Sequence, residues 1–273
     1  MKLELVSVPT PTHPLDGAYY TPDGPAKGGA LYLHGNQMNF YVCAARFLPP
    51  YLTALGYAFL AFNRRGHDTV STRDSREPEG GAFQTVTEGV EDNELAARFL
   101  TQRGFDAPIV IGHSNGGMLA GHFAAHHPET KALILLSAHG GGKQWAQRAS
   151  SRGAFAADRL QELKQKAQEL VASGRPRQLL LLTGWWHVIS AQTLLDYSAN
   201  VPDLLQDARS VQCPVLFIRG DKEPAENYPA EAFQEVCPSP CEVVIVEDSD
   251  HFYTGAEERV ANIVCNWLAK TLG

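Results

Sequence analysis

Short apolar runs alternate with longer amphipathic stretches along most of this chain, and that alternation restricts its fold more than any other feature. The runs Gly29–Leu33, Tyr57–Phe62, Pro108–Gly112, Ala132–Ser137, Val215–Arg219 and Glu242–Val246 read as strands. Helical patterning covers 42–55, 88–103, 115–126, 229–236 and 256–270. Strands alternating with helices predict a mostly parallel, doubly wound sheet with helices on both faces. Leu3–Val8 and Ala18–Thr21 read as an opening antiparallel pair around a Pro-rich bend. Pro49-Pro50 should kink or split the first helix. Thr85 and Glu88 have capping-box spacing before the second. The rhythm breaks over 141–212, where no strand is evident and helices are expected around 143–151, 156–172 and 189–197. This division gives a core of 1–140 and 213–273 carrying a helical cap, 141–212.

Composition narrows the class. With 44% hydrophobic and 19% charged residues over 273 positions, the chain can bury a large core. A net charge of -7 argues against a nucleic-acid partner, which would need a basic face. No apolar run approaches the ~20 residues that span a bilayer, so no membrane partner is expected. Five cysteines cannot all pair, and the start of the chain lacks an apolar signal core, so a reducing cytoplasm is the expected location. Charge is uneven. Residues 141–212 hold nine Lys/Arg and six Asp/Glu, the remainder 14 and 24. Arg148, Arg152 and Arg159 are therefore candidates to face a site mouth and favour an acidic substrate, although solvated outer helix faces account equally for the excess.

The sharpest chemical signal is Gly112-His113-Ser114-Asn115-Gly116-Gly117, between an apolar strand and a helix. This is the G-x-S-x-G elbow, in which a strained turn lifts a serine hydroxyl above the sheet. Small residues are needed at 112 and 116 because neighbouring backbone passes close by. A serine nucleophile needs a base, and the base needs an orienting acid. Of ten histidines, His251 follows the last strand in a polar loop at the carboxyl edge of the sheet, where open α/β folds build their sites. His139 is a second candidate because it also follows a strand. His34 and His67 are expected to brace loops, and His113, inside the elbow, to point away from the pocket if Ser114 points into it. The acid should come from another strand end, and Asp221 directly follows Val215–Gly220. Glu223, Asp248 and Asp250 are its rivals. Glu223 lies further out in a Pro-containing loop, and the other two are close to His251 in sequence. An oxyanion needs backbone donors. Asn115 N–H supplies one, and the turn His34-Gly35-Asn36-Gln37 supplies the other, from Asn36 or alternatively Gln37.

Taken together, His34-Gly35-Asn36, the GHSNGG elbow, Arg219-Gly220-Asp221 and Asp250-His251, in the order Ser, Asp, His, resemble the α/β-hydrolase superfamily over nearly the whole chain. Asn63-Arg64-Arg65-Gly66-His67-Asp68 is similar to that family's D-x-R-G-H-G loop, departing at Asn63 and Asp68. The resemblance implies an eight-stranded, mostly parallel sheet with a cap between the sixth and seventh strands. It also implies a serine hydrolase acting on a small molecule, with carboxylic esters the first expectation and thioesters the second. Amidases, carbon–carbon bond hydrolases, acyltransferases and a non-catalytic binder share the same residues. Gln37, Trp185 and Trp186 are the candidate substrate contacts, one of the two tryptophans facing away. No dinucleotide motif follows a strand and no metal spacing is convincing, so no cofactor is expected. Cys237-Pro-Ser-Pro-Cys241 reads as a turn.

Overall fold

A computed structural model describes residues 1–72, 76–185 and 187–273. Along the chain, β1 (Lys2–Val8) and β2 (Leu15–Thr21) pair antiparallel. They are followed by β3 (Gly28–Leu33), α1 (Ala44–Ala54), β4 (Tyr57–Phe62) and α2 (Val86–Gln102). Next come β5 (Ile109–His113), α3 (Asn115–His126) and β6 (Ala132–Leu136). The inserted segment holds α4 (Trp145–Ser151), α5 (Leu160–Ala172), β7 (Leu179–Leu182), β8 (His187–Ser190), α6 (Ala191–Tyr197) and α7 (Leu204–Ala208). The chain closes with β9 (Val215–Gly220), α8 (Ala230–Val236), β10 (Cys241–Val246) and α9 (Glu257–Leu272).

The main sheet runs β1-β2-β4-β3-β5-β6-β9-β10, and every pair from β4 to β10 is parallel. Strands β3, β4, β5, β6 and β9 are buried along their whole length because both faces are covered, whereas the edge strands β1 and β10 are partly exposed. Period-two alternation divides each strand between two cores. Leu31 and Leu33 face a cluster with Leu100, Leu119, Phe123 and Phe233, from α2, α3 and α8. Ala30 and Tyr32 face the opposite cluster with Leu48, Leu52, Val260 and Trp267, from α1 and α9. Thr85 and Glu88 form the full capping box at the start of α2.

Two local expectations fail. Helix α1 runs as one element from Ala44 to Ala54 through Pro49-Pro50, so the prolines do not split it. Its Ala44, Ala45, Leu48 and Leu52 are fully buried, so packing holds the helix through two missing backbone donors. The insertion also contains strands: β7 and β8 form an antiparallel hairpin. Leu180 and Leu182 are buried and Leu181 is exposed, a strand alternation that four consecutive leucines conceal. The helix expected from residue 189 starts at Ala191, after Ser190 accepts a capping bond from Thr193 N–H.

The insertion has its own apolar cluster, including Phe155, Leu163, Leu170, Leu180, Ile189 and Leu194. Its final stretch does not belong to that cluster. Val201, Leu204, Ala208 and Val211 pack into the main core. Both ends of the insertion meet. Gly142 N–H donates to Pro202 C=O at 2.7 Å and Leu204 N–H to Gly140 C=O at 3.0 Å. Among the described residues, no helix is long and apolar enough to cross a membrane.

Candidate active site

The turn between β5 and α3 holds Ser114 at φ 56°, ψ -119°, a region that L-residues rarely adopt. Ser114 N–H donates to Leu136 C=O of β6 at 2.9 Å, which fixes the turn to the neighbouring strand. The flanking glycines are required by space. A Cβ on Gly116 would lie 2.1 Å from Leu33 O, and one on Gly112 would lie 2.2 Å from Gly116 O. The strand–turn–helix context expected from the sequence is therefore present.

His251 Nε2 lies 3.0 Å from Ser114 Oγ. On the other side of the ring, His251 Nδ1–H donates to Glu223 Oε1 at 2.6 Å. The carboxylate facing His251 is thus Glu223, which corrects the sequence expectation of Asp221. Asp221 is exposed and its carboxylate accepts from Asp248 N–H at 3.0 Å and Ser249 N–H at 3.1 Å. Those backbone donors, Asp248 N–H first, hold its pKa below the ordinary carboxylate value. Asp250 is also committed elsewhere, accepting from Phe252 N–H and Thr254 N–H at 3.0 Å each. Asp248 is exposed beside Lys222.

Local folding explains the exchange of acid. Glu223 N–H donates to Gly220 C=O at 3.2 Å, so the chain after β9 turns back on itself. The Glu223 side chain returns into the protein and is only 5% exposed. Its Oε2 accepts from Gly220 N–H at 2.9 Å and from Ser137 Oγ–H at 2.5 Å. Ser137 also contacts Tyr253 Oη at 2.7 Å, and Tyr253 Oη–H donates to Ile218 C=O at 3.1 Å. Both carboxylate oxygens therefore have fixed partners, as a buried charge requires. The sequence signals that could have pointed to Glu223 are the glycine that permits the turn and the side-chain length that spans two further residues.

Other histidines brace this arrangement. His113 is fully buried and donates from Nε2 to the backbone C=O of His251 at 2.8 Å. Burial, then the nearby His251, push its pKa down to about 3, so the ring stays neutral. This positioning contact is absent from the sequence reading. His139 is not the ring against Ser114. It accepts from Gly141 N–H at 3.0 Å, lies 3.3 Å from Asn115 Oδ1 and stacks on Trp145. Burial pushes its pKa down to about 4. His34 accepts from Arg64 N–H at 3.0 Å and is held neutral chiefly by burial.

Ser114 and His251 open onto a cleft of about 490 Å³. Its walls include Asn36, Asn115, Trp145, Trp185, Tyr197 and Tyr228, with Arg148 and Arg152 from α4 and its end. Gln37 does not line the cleft; its Oε1 accepts from Thr69 Oγ1–H at 3.2 Å. Trp186 lies outside the described residues. Arg159 is exposed and paired with Glu162 at 2.6 Å. The five cysteines are free, including Cys237 and Cys241. Among the described residues, His122, His126 and Asp207 are the group with metal-holding spacing, their ligand atoms within 4.8 Å of one another. They join α3 to α7 and none lines the cleft.

A model of the Alpha/beta hydrolase family matches residues 30–263. The chain belongs to the alpha/beta hydrolase family. Solved structures of similar shape include Est1E from Butyrivibrio proteoclasticus with bound ferulic acid, at 18% identity and TM-score 0.73 over 98% of this chain and 99% of that one. A highly thermostable carboxyl esterase from Bacillus coagulans is 15% identical over the whole of both chains, at TM-score 0.71. The alpha/beta hydrolase GrgF from Penicillium sp. sh18 is 15% identical over 99% of each chain, at TM-score 0.74. No curated protein sequence matches this alpha/beta hydrolase. The structural likenesses bear on its fold, the eight-stranded sheet and flanking helices expected from the sequence.

Proposed function

We propose that this alpha/beta hydrolase cleaves carboxylic esters of small molecules through a covalent acyl-enzyme. The observation that carries the reading is the hydrogen-bonded series Ser114 Oγ, His251, Glu223, at 3.0 and 2.6 Å, opening into the cleft. His251 removes the proton as Ser114 Oγ attacks the ester carbon, and Glu223 stabilises the imidazolium that forms. The tetrahedral oxyanion is received by Asn36 N–H and Asn115 N–H. Neither has an acceptor among the described residues, and both residues line the cleft. Collapse of the intermediate breaks the bond to the alcohol, which leaves with the proton from His251. Water, deprotonated by the same His251, then attacks the acyl-enzyme and releases the acid and free Ser114.

Family membership supports a hydrolase, and the esterases among the structural neighbours favour an ester over an amide. The cleft's aromatic walls suit an apolar or aromatic acyl group, and Est1E, a neighbour in shape, binds ferulic acid. Residues 141–212 act as the cap that shapes this cleft, because Trp145, Arg148 and Trp185 come from it. Five free cysteines fit a reducing cytoplasm, and no step needs a cofactor.

Exposure to a fluorophosphonate followed by intact-mass measurement tests the reading. Stoichiometric labelling at Ser114, with a burst of alcohol from a p-nitrophenyl ester, is expected. A protein that binds such esters but neither labels nor turns them over would be a non-catalytic member.

A further inference from the structure

We propose that Arg148 and Arg152 form an anion-binding subsite, so that the preferred ester carries a carboxylate remote from its scissile bond. This rests on the ester-hydrolase reading and specifies its substrate. The two residues are one helical turn apart, at the end of α4, and both line the cleft that holds Ser114. Among the described residues, neither has a carboxylate within ion-pair distance. Arg65, Arg103, Arg159 and Arg219 each have one. Arg148 Nη2–H donates to the Gly141 carbonyl and Arg152 Nη1–H to Asn227 Oδ1. A guanidinium has five N–H donors, so each retains several.

The acidic side chain on the same wall is Glu226, which leaves the lining with two guanidinium charges against one carboxylate. Aromatic rings line the same cleft: Trp145 lies 5.6 Å from Trp185 and 6.0 Å from Tyr197 between ring centroids. The cleft therefore brings together a nucleophile, an aromatic surface and a pair of cations. A molecule matching that set has an ester carbonyl, an apolar body and a second, anionic end. Arginine suits this role because its planar fork meets a carboxylate through two parallel hydrogen bonds. Arg159, paired with Glu162 away from the cleft, is not part of the subsite.

The test compares mono-p-nitrophenyl suberate with p-nitrophenyl octanoate, equal in chain length and differing in the terminal carboxylate. Arg148 and Arg152 are solvent-exposed, so at low salt the wild type should favour the suberate in kcat/KM by about three- to ten-fold, the effect of charge-assisted hydrogen bonds at an exposed site. Sodium chloride should reduce the ratio. Free suberate should inhibit octanoate turnover more strongly than octanoic acid does. Arg152→Glu and Arg148→Gln should each bring the ratio down, Arg152→Glu below one. Near-UV circular dichroism identifies a variant that has not folded, and the wild-type salt and inhibition measurements then decide alone. Normal octanoate turnover with a ratio at or below one, indifferent to salt, would overturn the subsite and leave the hydrolase reading standing. Loss of turnover and of fluorophosphonate labelling together would instead remove the hydrolase reading itself.

Discussion

Replacing Glu223 by glutamine keeps the side chain's shape, yet it should cripple the reaction, for a reason contained in the hydrogen bonds. Glu223 Oε2 accepts from Gly220 N–H, and a backbone N–H cannot reverse its role. In the Glu223→Gln variant the amide oxygen must therefore occupy the Oε2 position. The amide NH₂ is left at the Oε1 position, 2.6 Å from His251 Nδ1 in the wild type. An N–H facing Nδ1 selects the tautomer protonated on Nε2, and that ring cannot take the proton of Ser114. The analogous tautomer error in a well-studied triad costs ~10⁴ in kcat, or about 5.5 kcal/mol of barrier. The expected result is a kcat/KM on a p-nitrophenyl ester about 10⁴-fold below wild type, with KM nearly unchanged. Asp221→Asn is the control. It leaves Glu223 against His251 but turns one amide NH₂ toward Asp248 N–H or Ser249 N–H, so it should lower stability while the folded enzyme keeps kcat within about three-fold of wild type. Steady-state kinetics of the two variants, with thermal unfolding to confirm folding, decides the matter. A Glu223→Gln enzyme with a tenth of wild-type activity, or an Asp221→Asn enzyme that collapses, would refute the assignment of the acid.

Ser114→Ala should lose turnover by roughly 10⁶-fold, as triad deletions commonly do, and should no longer accept a fluorophosphonate; residual labelling at another residue would count against the mechanism. Gly116→Ala places a methyl 2.1 Å from Leu33 O and 2.4 Å from His34 O, so it should destabilise by about 2 kcal/mol or more, measured by urea unfolding. Acid should destabilise the fold through its buried histidines. His113 at about 3 and His139 at about 4 lie below the ordinary value near 6.5, so their contribution is complete above pH ~6.5 and is lost as pH falls, by up to about 2 kcal/mol each at pH 5. Asp92, raised to about 6 chiefly by burial, acts in the opposite sense, its contribution declining as pH rises through 6, and it offsets part of the loss. Urea midpoints at pH 7 and 5 check the net sign, and an unchanged or higher midpoint at pH 5 would contradict it.

The parts of the site that were legible in the sequence are those governed by backbone geometry. Ser114 was legible because glycines at 112 and 116 have no steric alternative in a strand-to-helix turn. His251 was legible because the loop after the last parallel strand must open at the carboxyl edge of the sheet. The acid was misread because proximity along the chain was taken for proximity in space. Asp221 follows the strand directly, yet the turn closed by Glu223 N–H and Gly220 C=O sends residue 221 outward and residue 223 inward. Aliphatic uniformity hid β7, since alternation of burial leaves no trace in four leucines. The support that His113 gives the His251 backbone has no sequence signal, because it joins residues 138 positions apart.

The double closure at Gly140–Gly142 and Pro202–Leu204 joins the insertion's two ends, and Ser190 N–H to Ala82 C=O and Val86 N–H to Asp196 Oδ2, both 2.6 Å, tie its middle to the core. Ser114, His251 and Glu223 all lie outside it, and its apolar cluster is its own. Cleft shape and charge can therefore be altered at Trp145, Arg148, Arg152 and Trp185 while Ser114, His251 and Glu223 stay in place, provided those ties are kept. Selection acting on such a chain would vary what it accepts without retuning how it reacts.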